Sequence, residues 1–246
     1  MKSQLFVAVL VVGLVMSALP SSACSDTTIQ GSWGFLLTGA NGNKLTAVVG
    51  QITADGRGGL TGSETISSNG VISSNVALTG TYAITTTCTG TATITPSGFP
   101  AAKYNLTVVS TGKQIEIVDT DSGTTAFGYA LARGVSTCTD AAIKGTLGFQ
   151  GGGFNSALVP KAFAGQVKLD GAGKLTGTET ASAGGTVASG PISGTYSVNS
   201  DCTGSVSVTF KTKKFTSNFV IVNGDKSALE ISTESGDITT TTVAKQ

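Results

Sequence analysis

The sequence predicts an all-β protein built as two tandem antiparallel β-barrels of about eight strands each, and three observations carry that prediction. One stretch occurs twice: Asp55-Gly-Arg-Gly-Gly-Leu60-Thr-Gly-Ser-Glu64-Thr65 returns as Asp170-Gly-Ala-Gly-Lys-Leu175-Thr-Gly-Thr-Glu179-Thr180. Each copy reads as a glycine turn feeding a Thr-rich strand. Strand alternation is also repeated, with Leu78, Gly80, Tyr82 and Ile84 opposite Thr79, Thr81, Ala83 and Thr85, and Ile192, Gly194, Tyr196 and Val198 opposite Ser193, Thr195, Ser197 and Asn199. That is one buried and one wet face. Finally, no segment holds a capped helical period, while glycine (34 of 246 residues) marks nearly every gap. Two β-sandwiches of the same strands satisfy this pattern too; closure into barrels has the advantage of removing exposed sheet edges.

Residues 1–23 read as a signal peptide. Lys2 forms the basic start, Leu5 to Leu19 the apolar core and Ser21-Ser22-Ala23 the small-residue cleavage site. That core is too short to cross a bilayer comfortably, and no later run is apolar enough, so no membrane span is expected. The protein is expected to be exported, either to the periplasm or fully secreted. Without Lys2 the 15 basic residues become 14, equal to the 14 acidic ones. A neutral chain with 12% charged residues gives no pull toward nucleic acid. The run Lys211-Thr-Lys213-Lys214 reads as a solvated turn.

Four cysteines remain, Cys24, Cys88, Cys138 and Cys202, with 64 positions between the two in each half and 114 between corresponding ones. Of three pairings, the duplicated spacing favours Cys24 with Cys88 and Cys138 with Cys202, in keeping with an oxidising compartment. The domains are then 24–133 and 134–246. Matching landmarks follow in order: Gly31-Ser-Trp33-Gly-Phe35 with Gly145-Thr-Leu147-Gly-Phe149, Gly50-Gln-Ile52 with Gly165-Gln-Val167, Gly80-Thr-Tyr82 with Gly194-Thr-Tyr196, and Cys88-Thr-Gly90 with Cys202-Thr-Gly204. Their offsets are 114 or 115. In domain 1 the strands are expected at 31–38, 45–54, 59–67, 71–86 (one strand or two), 90–95, 102–110, 114–119 and 124–132.

Catalytic material is scarce. The chain has no histidine, which removes Ser-His-Asp and Cys-His nucleophilic machinery and the usual zinc ligand sets, and no cofactor, metal or catalytic residue is assigned. Glu64 and Glu179 share a strand face with Leu60 and Leu175, so an inward leucine implies an inward carboxyl. The plainer reading is a strand-end glutamate bonded to threonines. Asp55 and Asp170 fit their Asp-Gly turns. Asp119-Thr-Asp121-Ser-Gly123 resembles the front of a calcium loop but lacks its twelfth-position glutamate. Ile115-Glu116-Ile117 and Leu229-Glu230-Ile231 read as outward glutamates between inward aliphatics.

The opening Gly31-Ser-Trp33-Gly-Phe35, followed by meandering strands, resembles calycin-type barrels (the lipocalin and avidin group) and, more loosely, allene-oxide-cyclase-type barrels. The whole order of motifs is similar to uncharacterised exported bacterial tandem-repeat β-proteins. The resemblance implies a barrel able to hold a small apolar ligand, although Leu147 replaces Trp33 in the second copy.

The expected function is binding of a small apolar ligand in a barrel mouth or an interdomain groove, with Trp33, Glu64, Tyr82, Phe127, Tyr129 and Glu179 as candidate contacts. Aromatics would supply contact area and a carboxylate a polar fixing point. Aligned at an offset of 114, Phe215, Phe219 and Ile221 form an apolar strip where domain 1 has Ala101, Asn105 and Thr107, and Phe127, Tyr129 and Leu131 form the reciprocal strip. These strips are expected to dock the two domains or to form a shared groove between them; the alternative is that they are ordinary core substitutions, exchanged for others elsewhere in each barrel. The alternatives are an extracellular structural or adhesive protein recruiting a partner along a sheet edge, and a cofactor-free cyclase or isomerase with Glu64 or Glu179 inside an enclosed cavity. The sequence does not fix the oligomeric state.

Overall fold

In the computed structural model, which describes residues 23–109 and 112–246, the chain forms two closed antiparallel barrels of eight strands each. The signal peptide expected at residues 1–23 lies, apart from Ala23, outside the described residues. The first barrel comprises β1 (Gly31–Asn41), β2 (Lys44–Ala54), β3 (Gly59–Ser68), β4 (Val71–Ile84), β5 (Thr89–Pro96), β6 (Ala102–Val109), β7 (Gln114–Asp119) and β8 (Thr124–Ala132). The second comprises β9 (Gly145–Asn155), β10 (Pro160–Leu169), β11 (Lys174–Ala183), β12 (Thr186–Val198), β13 (Thr203–Phe210), β14 (Lys213–Val222), β15 (Ser227–Ser232) and β16 (Asp237–Lys245). Each strand pairs with its sequence neighbours, and β8 returns to β1 as β16 returns to β9. The long segment after Val71 is a single strand, with a bulge where Ser74 and Asn75 oppose Thr65 alone.

Both barrels are closed at the same end by the same device. A short 3-10 helix, Asp26–Ile29 or Asp140–Ile143, lies across that end and inserts a buried isoleucine, Ile29 or Ile143. Asp26 Oδ1 accepts from the Ile84 amide at 2.7 Å, and Asp140 Oδ1 from the Val198 amide at 2.7 Å. The Tyr82 hydroxyl donates to the Asp26 carbonyl at 3.0 Å and accepts from the Gly56 amide; Tyr196 does the same with Asp140 and Gly171. Disulfides Cys24–Cys88 and Cys138–Cys202 tie the segment before each helix to the β4–β5 or β12–β13 turn, with Cα separations of 5.0 and 4.9 Å. Asp55 and Asp170 serve their turns, each accepting two backbone amides, which holds both carboxyls below the usual range.

The barrels pack side by side. Leu36, Ala47 and Val49 on the outside of barrel 1 form one buried cluster with Val220, Val222, Leu229, Ile231 and Ile238 on the outside of barrel 2, and Tyr129 and Leu131 pack against it. Gly34 permits the approach: a Cβ there would stand 2.4 Å from the Val222 side chain. At the matching position Gly148, a Cβ would meet nothing nearer than Gln246 at 3.6 Å. Polar ties surround the contact, including Ser67 Oγ to the Asp237 carbonyl at 2.8 Å, Asn218 Nδ2 to Thr65 Oγ1 at 3.0 Å, and Gly236 N to the Gly70 carbonyl at 2.8 Å. Arg133, buried, donates to Gln51 Oε1 at 2.6 Å, and Gln51 donates to Asp201 at 2.8 Å.

The docking strip expected at Phe215, Phe219 and Ile221 is not where barrel 2 meets barrel 1. These residues turn into barrel 2, and their outward neighbours Val220 and Val222 make the contact. The cause is a hairpin one residue shorter in barrel 2. Gly90 and Gly204 are 114 positions apart, but their strand partners Leu106 and Phe219 are only 113 apart. Phe219 therefore corresponds to the inward Leu106, not to Asn105, and a slip of one residue exchanges the faces of a strand. On the barrel 1 side, Tyr129 and Leu131 do reach the contact, whereas Phe127 is 65% exposed.

Candidate functional site

The same one-residue shift brings an unexpected group to the centre of barrel 2. Because β15 follows the shortened hairpin, Leu229 and Ile231 face the other barrel and Glu230 faces the lumen. This corrects the expectation of an outward glutamate. Glu116 in barrel 1 is exposed, and the inward position matching Glu230 is held by Ile117, packed against that barrel's core. Nothing in the Leu229-Glu230-Ile231 triplet itself reveals the change. The signal was the hairpin length, since Pro96-Ser-Gly-Phe-Pro100 is longer than Phe210-Lys-Thr-Lys213 allows.

Barrel 2 encloses a cavity of about 460 Å³. Its closed end is lined by Ile143, Leu147, Leu169 and Tyr196, and its middle by Phe149, Phe163, Phe215 and Phe219. Lys161, Ala183, Thr186, Lys213 and Asp237 stand at the opposite end, where the strands turn. Lys161 and Asp237 form an ion pair of 3.0 Å there, and the Lys213 ammonium lies 5.0 Å from the centre of the Phe215 ring. The wall is thus apolar and aromatic, with its charges at the rim and two at mid-height.

Those two are Glu179 on β11 and Glu230 on β15, four strands apart in an eight-stranded barrel and therefore on opposite walls. Burial pushes the Glu230 carboxyl up to about 7; the Ser217 hydroxyl, bonding to it, opposes the shift and the negative charge of Glu179 adds to it. Glu179 is raised as well, through burial. Two carboxyls that face each other across a low-dielectric lumen do not both ionise readily.

Barrel 1 treats its matching carboxyl differently. Glu64 also points inward, as its alternation with Leu60 predicts, and only 6% of it is exposed. A Cβ on Gly50 would lie 2.7 Å from the Glu64 Cβ and 2.8 Å from the Phe35 ring, so glycine leaves room for both. Burial raises Glu64 to about 7, and its charge in turn contributes to raising Tyr104. Phe35 is 2% exposed, while Phe149 in the matching place is half-buried.

The other candidate contacts are distributed rather than assembled. Trp33 lies in the barrel 1 core, its indole donating to the Ile29 carbonyl at 2.7 Å. Tyr82 is in the end closure described above. Tyr129, with Leu36, borders a wide open groove of about 620 Å³ between the barrels, whose far side is Ala162, Ala164, Thr180 and Thr242. Phe127 is on the outer surface. Of the candidate contact and docking residues, Glu179, Phe215 and Phe219 meet in the barrel 2 cavity.

Asp119 and Asp121 are engaged by backbone, Asp119 Oδ1 accepting from the Asp121 amide at 2.8 Å within the β7–β8 turn and Asp121 Oδ2 from the Lys103 amide on β6 at 2.9 Å. Among the described residues, no helix is long and apolar enough to cross a membrane.

Comparison with protein-family models finds no match, and comparison with curated proteins finds none either. Among solved structures, the chain is similar to a protein of unknown function of the DUF3598 family from Nostoc punctiforme PCC 73102. The match has 12% identity, 91% coverage of this chain, 99% of that one and a TM-score of 0.27. A likeness that weak carries no functional argument.

Proposed function

We propose that this is an exported binding protein that takes a small, largely apolar ligand into the cavity of barrel 2. The observation that carries the reading is the cavity itself: about 460 Å³, walled by five phenylalanines, and lined at mid-height by only two ionisable groups. Its size and its sparse polar groups suit a small-molecule site. Barrel 1 and the shared buried face then serve as the support that fixes β14 to β16. Export is supported by the leader-like residues 1–23 and by two disulfides, which persist in oxidising compartments.

The alternative of strand recruitment at a sheet edge has less to work with, since every strand of both barrels is paired on both sides. A cofactor-free isomerase or cyclase is the second reading, because Glu179 and Glu230 inside an apolar cavity suit proton transfer. The two readings part on whether a bound molecule is returned unchanged.

The test is native mass spectrometry of the mature protein purified from its source without reductant, followed by extraction of what is bound. The binding reading expects a stoichiometric small molecule that is lost when Ala181→Phe narrows the lumen. A wild-type protein that carries nothing and takes up no apolar probe would overturn it.

A further inference from the structure

Resting on that reading, we propose that the ligand of barrel 2 carries one ammonium group on an apolar body, and that Glu179 and Glu230 hold this group at mid-height in the lumen. The charged and titratable groups facing the cavity are Lys161 on β10, Glu179 on β11, Tyr196 on β12, Lys213 on β14, Glu230 on β15 and Asp237 on β16; β9 and β13 contribute none.

Both lysines are at the rim and are occupied there, Lys161 by Asp237 at 3.0 Å and Lys213 by the face of Phe215 at 5.0 Å. Tyr196 is at the closed end, its hydroxyl engaged by the Asp140 carbonyl and the Gly171 amide. No basic side chain of the lining stands at the level of Glu179 and Glu230. The protein therefore places two facing acids in an apolar space and supplies no cation between them.

An arrangement of this kind costs stability when empty, and a ligand of matching charge relieves it. When the pair shares one proton its charge is −1, which one ammonium neutralises while donating hydrogen bonds to both walls. Phe149, Phe163, Phe215 and Phe219 complete the fit, offering apolar surface to the body of the molecule and ring faces to its cation. A carboxylate ligand would face like charge, and an alcohol would leave the acids without a counter-charge.

The raised carboxyls add a second signature. An ammonium ion between the walls lowers the proton affinity of the pair, so its entry below about pH 7, where Glu230 still holds a proton, displaces proton to the buffer, and amine affinity rises with pH up to about 7.

The experiment is calorimetric titration of the intact protein with octylamine, 1-octanol and octanoate, three probes that share one chain. The expected order is octylamine tighter than octanol by about tenfold or more, with octanoate weakest. At pH 6, repeating the amine titration in buffers of different ionisation enthalpy should show net proton release. The double variant Glu179→Gln, Glu230→Gln should abolish both the amine preference and the proton release.

Equal binding of octylamine and octanol by the wild type, or an amine preference that survives in the double variant, would overturn the ammonium proposal and leave the apolar-ligand reading standing. Failure of all three probes to bind would remove both.

Discussion

Barrel 1 and barrel 2 are two solutions to one frame. Their closed ends are the same down to individual bonds: a 3-10 helix, a tyrosine linking its carbonyl to a glycine turn, an aspartate receiving a strand amide, and a disulfide. Their middles differ. In barrel 1, Leu37, Ile66 and Tyr104 point inward where barrel 2 has Gly151, Ala181 and Ser217. Barrel 2 returns bulk at other places, with Phe163, Phe215 and Phe219 for Val48, Ala102 and Leu106. The redistribution leaves a lumen between aromatic walls. The end closure specifies the fold, and mid-height residues decide whether the interior is core or cavity.

That division can be strained from several directions. The largest effect is expected from the disulfides. Each closes 64 positions of chain, and replacing either pair by serine should cost about 4 kcal/mol in denaturant unfolding without reductant. The two losses should be similar, since the closed ends are alike; a much smaller loss in one barrel would break the equivalence.

Next is the buried acid of barrel 1. Burial puts Glu64 at about 7, above its ordinary 4.5, so the native state holds this proton more tightly than the unfolded chain does. Its contribution is fully present below about pH 4.5 and is lost as pH rises to about 7, with no further change above. Glu64→Gln should therefore stabilise the protein at pH 8 by as much as about 3 kcal/mol and leave it unchanged at pH 4. Paired urea melts at the two pH values check this.

Opening barrel 1 is the third test. Tyr104→Ser gives it the small residue of barrel 2, and the expected loss is about 2–3 kcal/mol by thermal denaturation, below that of a fully buried aromatic because Tyr104 keeps some exposure.

The smallest effect concerns docking. Gly34→Ala should cost about 1–3 kcal/mol because its Cβ enters Val222. Gly148→Ala, in open space, should be neutral or slightly stabilising. Equal effects in the two variants would show that the buried face of Val220 and Val222 is not what joins the barrels.

Much of this frame was legible in the sequence, because its signals are local. The Asp-Gly turns, the alternation around Tyr82 and Tyr196 and the 64-residue cysteine spacing each state their own geometry. Inward placement of Glu64 and Glu179 is the second of two readings that the sequence allows, through alternation with Leu60 and Leu175; the plainer one, a strand-end glutamate bonded to threonines, gives way to it in the structure. What was hidden depends on register accumulated over distance. Removing one residue from the β13–β14 hairpin turns Glu230 inward and Leu229 and Ile231 outward, and the local resemblance of Leu229-Glu230-Ile231 to Ile115-Glu116-Ile117 masks the change. The inward turn of Phe215, Phe219 and Ile221 is hidden for the same reason. The aspartates of the end closures carry no local signal, because their partners, Ile84 and Val198, are 58 positions away.

Whether mid-height residues alone make barrel 2 a binding cavity is read by titration with a neutral apolar fluorescent probe, comparing the wild type with the variant Gly151→Leu, Ala181→Ile, Ser217→Tyr, which carries three inward residues of barrel 1 into barrel 2. One probe per chain is expected in the wild type and none in the variant, with the variant still folded by circular dichroism. Undiminished binding in a folded variant, or two probes per wild-type chain, would contradict that expectation.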